Sequence, residues 1–364
     1  MGRVGFSPPR HAATWDQVAP LLAGGGTLEY EQARSLMRSI MDGELDEARL
    51  AAFLSIMAVR GVAVSELLGL ADQMQAGSEK IDLPSDVVDV VGTGGDEAGT
   101  VNISTMAAIL LAAAGYPVVK HGNRASTSSS GSADVLEALG VQLAAKNDAI
   151  IEAFNEVGIA FLFANKFHPS MRHAARVRRV LGFPTAFNVL GPLTNPVAPH
   201  ASVVGVARKE AAPLVSGVFA ERGTNAFVMR GENVGLDELT TVEPSRLWII
   251  QGGEVTEHVV NPAETLGLEE ATLGDLVGGG PEDNAAIARS LFEGERGPIF
   301  DAVALNAALG IMASDVASGR SAANWHDQAQ FNRGLAGAFE VASETLASGV
   351  AGDTVERWVE ATTE

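Results

Sequence analysis

The chain of 364 residues contains no cysteine, which excludes disulfides and thiolate metal sites. Any metal would have to be held by oxygen or imidazole, so magnesium is expected ahead of zinc. Positive charge is scarce, with 25 Lys and Arg against 45 Asp and Glu and a formal net charge of −20. Extensive contact with nucleic acid or an anionic membrane requires basic surface, and neither is expected. An anionic ligand would need a local positive pocket. No run of about twenty apolar residues is present, and the opening MGRVGFSPPRHAATW lacks the apolar stretch of a secretion signal. A soluble, cytoplasmic protein is the expectation. Fixed-period repeats and sustained low-complexity tracts are missing too. What remains is 46% hydrophobic and long enough for two domains or one large core.

Periodicity divides the chain. From Trp15 to about Gly77 the segments LEYEQARSLMRSIMDG, DEARLAAFLSIMAVRG and AVSELLGLADQMQAG carry apolar residues at three- and four-residue spacing and end near glycine, which predicts a small helical unit. At Asp86 the style changes to DVVDVVGTGGD, then the helix ISTMAAILLAAAG and the strand PVVKHG, a βαβ unit. The alternation continues through VQLAA, DAIIEAFNEVG, IAFLFA, SVVGVA, APLVSGVFAERG and AFVMRG, predicting a mainly parallel sheet covered by helices. RLWIIQGGEVTEHVV, from Arg246, predicts a hairpin with a glycine turn, and long helices close the chain.

Four segments carry chemistry. GTGGD, Gly92 to Asp96, lies between a strand and a helix, where glycines let backbone approach a ligand; alone it reads equally as a tight turn. Thr100, Asn102, Ser104 and Thr105 follow, and simple capping of the next helix needs only one of them. KHGNRASTSSSGSADVLEALG, Lys120 to Gly140, joins two cations, a run of hydroxyls and a helix start at the carboxyl end of a parallel strand. Such a loop suits a phosphate or pyrophosphate better than it suits a linker.

The third segment runs from Phe167 to Pro196. A single helix over His168 to Leu181 would gather Arg172, Arg176 and Arg179 within about 60° on a solvated face and turn Arg178 inward. An inward guanidinium wants a carboxylate or phosphate, and a structural acid would serve as well as a ligand. His168 reads as a cap, a packing residue or a ligand contact. The fourth segment, GLDELT, sets Asp237 beside Glu238 just past a strand. With Ser104 this pair would suffice for magnesium on a phosphorylated substrate.

Taken in order, GTGGD, TVNIST at 100–105, KHGNRA with GSADVLEALG, HPSM with VRRVLG and FNVLGPLTNP, and GLDELT closely resemble the anthranilate phosphoribosyltransferase family over nearly the whole chain from about Trp15. The resemblance implies a small helical domain, residues 14–84 with a second piece near 167–190, joined to an α/β domain of residues 85–166 and 191–364. It also implies substrates bound between the domains and a homodimer formed through the helical one. The activity implied is transfer of the 5-phosphoribosyl group from phosphoribosyl pyrophosphate to anthranilate, in tryptophan biosynthesis.

Position by position, the resemblance assigns Gly92, Gly95, Asp96, Thr100, Asn102, Ile103, Ser104, Thr105, Lys120, His121, Gly122, Asn123, Arg124, Ala125, Ser126, Thr127, Ser128 and Ser132 to phosphoribosyl pyrophosphate. Gly92, Asn123, His168 and Arg178 would meet anthranilate, Arg178 through the carboxylate. Ser104, Asp237 and Glu238 would hold Mg2+. Catalysis would rest on Lys120 at the leaving group and on Asn123 and Arg178 for orientation, with His121 the nearest candidate for a late proton transfer. The chain departs from the family pattern at Glu97, where glycine is common, at Ser129, where lysine is frequent, and at Asn165, where proline is usual. The first two make the phosphate site less positive. Pyrimidine nucleoside phosphorylases and nucleic-acid-binding relatives are the rival readings. KHGN, the Arg178 segment and the acidic pair favour the first reading, and the charge of −20 opposes a nucleic-acid role.

Overall fold

A computed structural model describes residues 14–125 and 129–363. In chain order the elements are α1 (Trp15–Ala23), α2 (Tyr30–Met41), α3 (Glu47–Arg60), α4 (Val64–Ala76), β1 (Val88–Gly92), α5 (Ile103–Ala113), β2 (Val118–Gly122), α6 (Ser132–Leu139), α7 (Asn147–Val157), β3 (Ile159–Phe163), α8 (Ala164–Phe167) and α9 (Arg172–Leu181). There follow β4 (Ala201–Gly205), α10 (Ala211–Arg222), β5 (Asn225–Gly231), β6 (Ser245–Gln251), β7 (Glu254–Val260), α11 (Pro262–Leu266), α12 (Pro281–Phe292), α13 (Pro298–Ala317), α14 (Gln328–Ala347) and α15 (Val350–Thr363). Two compact units result. Of the described residues, one unit holds those up to Ser78 with His168–Leu190, and the other holds those of Glu79–Phe167 and from Gly191 onward.

The first unit is helical, as its periodicity predicts. The apolar stripes of α2, α3 and α4 bury Leu36, Met37, Phe53, Leu54, Leu67 and Leu70, and each such side chain contributes about 1.5–3 kcal/mol. Its inter-helix loops are tied by a buried carboxylate. Glu66 takes a bidentate ion pair from Arg60 at 2.7 Å and accepts the N–H groups of Leu28 and Ala63. The expected single helix over His168 to Leu181 is instead a 3-10 turn, Pro169–Met171, followed by α9. The physical reason is Pro169: the residue before a proline is kept out of the helical region, and His168 sits at φ −125°, ψ 58°.

The second unit is a seven-stranded sheet in the order β3-β2-β1-β4-β5-β6-β7. Strands β1 to β5 are parallel, and β6 and β7 add antiparallel. The glycine hairpin forms as expected, with Gly252 and Gly253 between β6 and β7. VQLAA makes a turn and not a sheet strand. Helix α13 packs on α5, α14 and β4 and is buried nearly all round. Its length and mean hydropathy of 1.5 would let it cross a membrane, yet 78% of that apolar window is buried, which makes it the core helix of the α/β unit.

Candidate functional site

Strand order reverses between β1 and β4, and open parallel sheets bind ligands at the carboxyl ends of strands at such a point. Both strands end in glycine there, Gly92 paired with Gly205. The reason is steric. A Cβ on Gly205 would lie 1.6 Å from the carbonyl oxygen of Asp237, and one on Gly92 would lie 2.6 Å from Asp237 Oδ2. The acidic segment therefore lies directly across the strand ends. Above them the GTGGD loop is held by Thr93, whose N–H donates to Gly205 and whose hydroxyl accepts from Ala207 N. Gly94 and Gly95 take positive φ with open space around them, leaving bare backbone facing outward. Glu97, where the family commonly has glycine, also takes positive φ, at 57°.

The acids crowd together beneath this loop. Gly94 N donates to Asp237 Oδ2 at 3.1 Å, and Ser104 N, in the first turn of α5, donates to Glu238 Oε1 at 3.2 Å. Asp96 lies against Asp237, and its buried Oδ2 receives no hydrogen bond from the described residues. Burial, then the Asp96 charge, pushes Asp237 up to about 7. Burial, then Asp237, raises Glu238 well above the carboxylate range. Carboxylates so placed lack positive charge. Lys120 supplies some of it from below: its ammonium is buried, donates to Val90 O and to Ser104 Oγ, and is lowered in pKa mainly by burial. Among the described residues no three His, Asp or Glu side chains converge on one metal position. A cation would thus draw on Asp237, Glu238, the Ser104 hydroxyl and ligand oxygens, which is the usual donor set of magnesium.

The KHGNR loop is stitched to the start of α6. Ser132 Oγ donates to Asn123 O at 3.2 Å, while Ala125 N and Gly131 N both donate to Asp134 Oδ2 at 2.9 Å. Arg124 turns to Asp134 and Glu137 and stacks over Phe163, so its charge is already matched within the loop. Asn123 is exposed and donates to Asn165 Oδ1 at 3.4 Å, at the position where the family usually has proline. His121 is buried, its Nδ1 3.0 Å from Gly191 O. Asn102 bridges outward, donating to Ser130 O and accepting from Asn284. Thr100 bridges to Val277, and Ile103 and Thr105 are buried in or against the core. Ser126, Thr127 and Ser128 lie outside the described residues.

In the helical unit, Arg172, Arg176 and Arg179 are exposed, as expected. Arg178 is partly buried over the Phe187 ring, 5.6 Å from its centroid, and desolvation lowers its pKa. No carboxylate lies within 4.0 Å of it among the described residues, so the structural acid that could have claimed it is not there. His168 is buried at the start of the 3-10 turn.

Several residues that set this geometry were not singled out from sequence. Asp89 is buried inside β1, accepts from Asn195 Nδ2 at 2.9 Å and from His121 N, and is raised to about 6, chiefly by burial. Asn306 clamps the main chain of Leu239 through both its N–H and its carbonyl. The available signal was a polar residue inside an apolar run, DVVDVV for Asp89 and VALNAAL for Asn306, since buried polar groups are rarely kept without partners.

With this arrangement in view, comparison with known proteins is direct. Residues 19–77 match a family model described as the helical bundle domain of the glycosyl transferase family, and residues 84–352 match its a/b domain. The chain is 47% identical over 346 residues to anthranilate phosphoribosyltransferase of an Arthrobacter species, covering 95% of each. A crystal structure of anthranilate phosphoribosyltransferase from Thermus thermophilus superposes with a TM-score of 0.84 at 40% identity, covering 95% of this chain and 99% of that one. The Saccharomyces cerevisiae enzyme in complex with PRPP and Mg gives a TM-score of 0.78 at 26% identity, covering 96% and 94%.

Proposed function

Since the chain belongs to the anthranilate phosphoribosyltransferase family, we propose a residue-level account of how it transfers the 5-phosphoribosyl group of phosphoribosyl pyrophosphate to the amine of anthranilate, releasing pyrophosphate, in tryptophan biosynthesis. The observation that carries the account is the meeting of an open glycine loop, a helix start and a cation-poor acid cluster at the β1–β4 reversal. The uncovered backbone of Gly94 and Gly95, the first turn of α5 and the KHGN segment suit the phosphates. Ser104, Asp237 and Glu238 would hold Mg2+ there; the crowding of Asp96, Asp237 and Glu238, which raises the latter two, fits a divalent cation among them. Magnesium, when bound, supplies the positive charge that departing pyrophosphate requires.

The chain itself positions and screens. Lys120 backs Ser104 with a buried positive charge, so the hydroxyl offers its free lone pair outward. Arg178 takes the anthranilate carboxylate, with Gly92, Asn123 and His168 completing the contacts. The C–N bond forms as the anomeric C–O bond breaks, and the amine loses its proton afterwards. An aryl amine is already neutral near pH 7, so orientation replaces a strong base. His121, fixed through Nδ1, is a candidate to receive that proton only through Nε2. A homodimer through the helical unit and a cytoplasmic location complete the proposal.

The test is fluorimetric. Anthranilate emission should fall when phosphoribosyl pyrophosphate and Mg2+ are added with the purified protein and should hold steady if either is withheld. Stable emission with all components present, alongside an active control enzyme, would reject the account. Phosphorolysis of thymidine in its place would point to the nucleoside phosphorylases.

A further inference from the structure

The acidic pair does not hold its own position. The loop between β5 and β6 delivers it, and that loop is organised around another carboxylate, Glu243. The Glu243 side chain is buried and accepts the N–H groups of four consecutive residues: Asn233, Val234 at 2.7 Å, Gly235 at 3.0 Å and Leu236 at 3.3 Å. Four backbone donors aimed at one point would be costly to leave unmet, and an ionised carboxylate has about the four lone-pair sites needed. The next two residues are Asp237 and Glu238.

The surroundings are cut to fit this carboxylate. A Cβ on Gly231 would lie 1.9 Å from Glu243 Oε1, so only glycine leaves room. Gly231 N donates to Leu236 O at 2.8 Å, closing the loop, and Arg230 ties it to Ala207 O beyond β4. Leu236 is buried, and Asn306 clamps Leu239 on the far side. The two metal-facing residues are therefore held between a carboxylate nest upstream and an amide clamp downstream.

We propose that Glu243 is a positioning residue for metal binding: by gathering the N–H groups of residues 233–236 it fixes where Asp237 and Glu238 present their carboxylates. This rests on the reading that the pair holds the divalent cation. Glu243 touches no substrate, and its charge is spent on the backbone.

Mn2+ binding in the presence of phosphoribosyl pyrophosphate, counted by electron paramagnetic resonance of the free ion, tests the idea without turnover. Glu243→Gln keeps the size of the side chain but replaces one of the two acceptor oxygens with a donor nitrogen and removes the charge. It should weaken Mn2+ affinity about tenfold and raise the Mg2+ requirement of the reaction similarly. At saturating Mg2+ its kcat should stay within about twofold of wild type, because no group that meets substrate has changed. A folded Glu243→Gln with unchanged Mn2+ affinity overturns the proposal, even if its Tm falls. Gly231→Ala, which pushes on the same carboxylate, should give the same loss of affinity.

If neither variant folds, hydrogen exchange on the wild-type protein decides. The amides of 233–236 should be protected without metal, and exchange at open-loop rates would overturn the proposal. Asp237→Asn with Glu238→Gln separates the two levels. If that variant keeps Mn2+ affinity, the metal reading itself fails. If it loses affinity while Glu243→Gln keeps it, only the positioning role fails.

Discussion

Arg178 is half-buried over Phe187 with no acid beside it among the described residues, so its charge is desolvated and uncompensated until something anionic arrives. That is the condition under which a charge-assisted hydrogen bond counts most. Arg178→Ala should raise the anthranilate KM by roughly 30- to 150-fold, the equivalent of about 2–3 kcal/mol. The KM for phosphoribosyl pyrophosphate should change little, and equal loss for both substrates in initial-rate kinetics would remove Arg178 from the anthranilate site. Glu97 poses a different question. It holds a left-handed backbone next to Asp96 and adds negative charge beside the loop proposed to take phosphates. Glu97→Gly should relieve the strain, changing stability by less than about 1 kcal/mol, and lower the KM for phosphoribosyl pyrophosphate a few-fold. An increase in that KM would mean that Glu97 works with the substrate and not against it.

Between the residue and the fold stand the strand ends, where buried polar side chains do the tying. Asn195 donates both to Asp89 Oδ2 and to Val119 O, so one amide joins β1 and β2 behind the KHGN loop. Asn195→Leu would leave a buried carboxyl and a buried carbonyl short of a donor, and it should cost about 2–3 kcal/mol in urea denaturation. A loss below about 0.5 kcal/mol would show that water or rearrangement satisfies both groups. This layer is where reading the sequence stopped. Helices α2 to α5, the parallel strands and the glycine hairpin were legible because their apolar spacing states their geometry. The break of the α9 segment at Pro169 was legible in principle, since the proline stands in plain sight. The partners of Asp89 and Asn306 were not, because a hydrogen bond between residues 106 or 67 positions apart leaves no periodic trace; Glu243 reaches only 7 to 10 positions back, but to backbone N–H groups, which carry no residue signature. The glycines illustrate the difference. Gly92 was readable as a ligand approach, but its need to clear Asp237, far along the chain, appears only in three dimensions.

At the scale of the whole molecule, the acid cluster makes stability and ligand binding depend on pH in opposite senses. Asp89 is raised to about 6 and Asp237 to about 7, both from an ordinary value of 3.8, and Glu238 is raised as well. A carboxyl whose pKa is higher folded than unfolded binds more protons in the native state, so stability must fall as pH rises through that window. The metal-free protein should therefore lose Tm steadily from about pH 4 to about pH 7. If the pair holds Mg2+ as proposed, binding with phosphoribosyl pyrophosphate requires the ionised acids, so it should release protons and the ligand-induced rise in Tm should grow over the same range. Self-repulsion from a net charge of −20 would add to the first trend but would not respond to one neutral substitution at Asp237. Asp237→Asn removes its ionisation. It should make the pH slope of the metal-free protein shallower, leaving the share of Asp89 and Glu238, and reduce the pH-dependent part of the ligand shift. Scanning calorimetry of both proteins across the range, with and without the ligands, provides the check. If the wild-type Tm rises toward neutral pH, or the slope survives Asp237→Asn intact, the buried acid cluster is not what couples stability to the site.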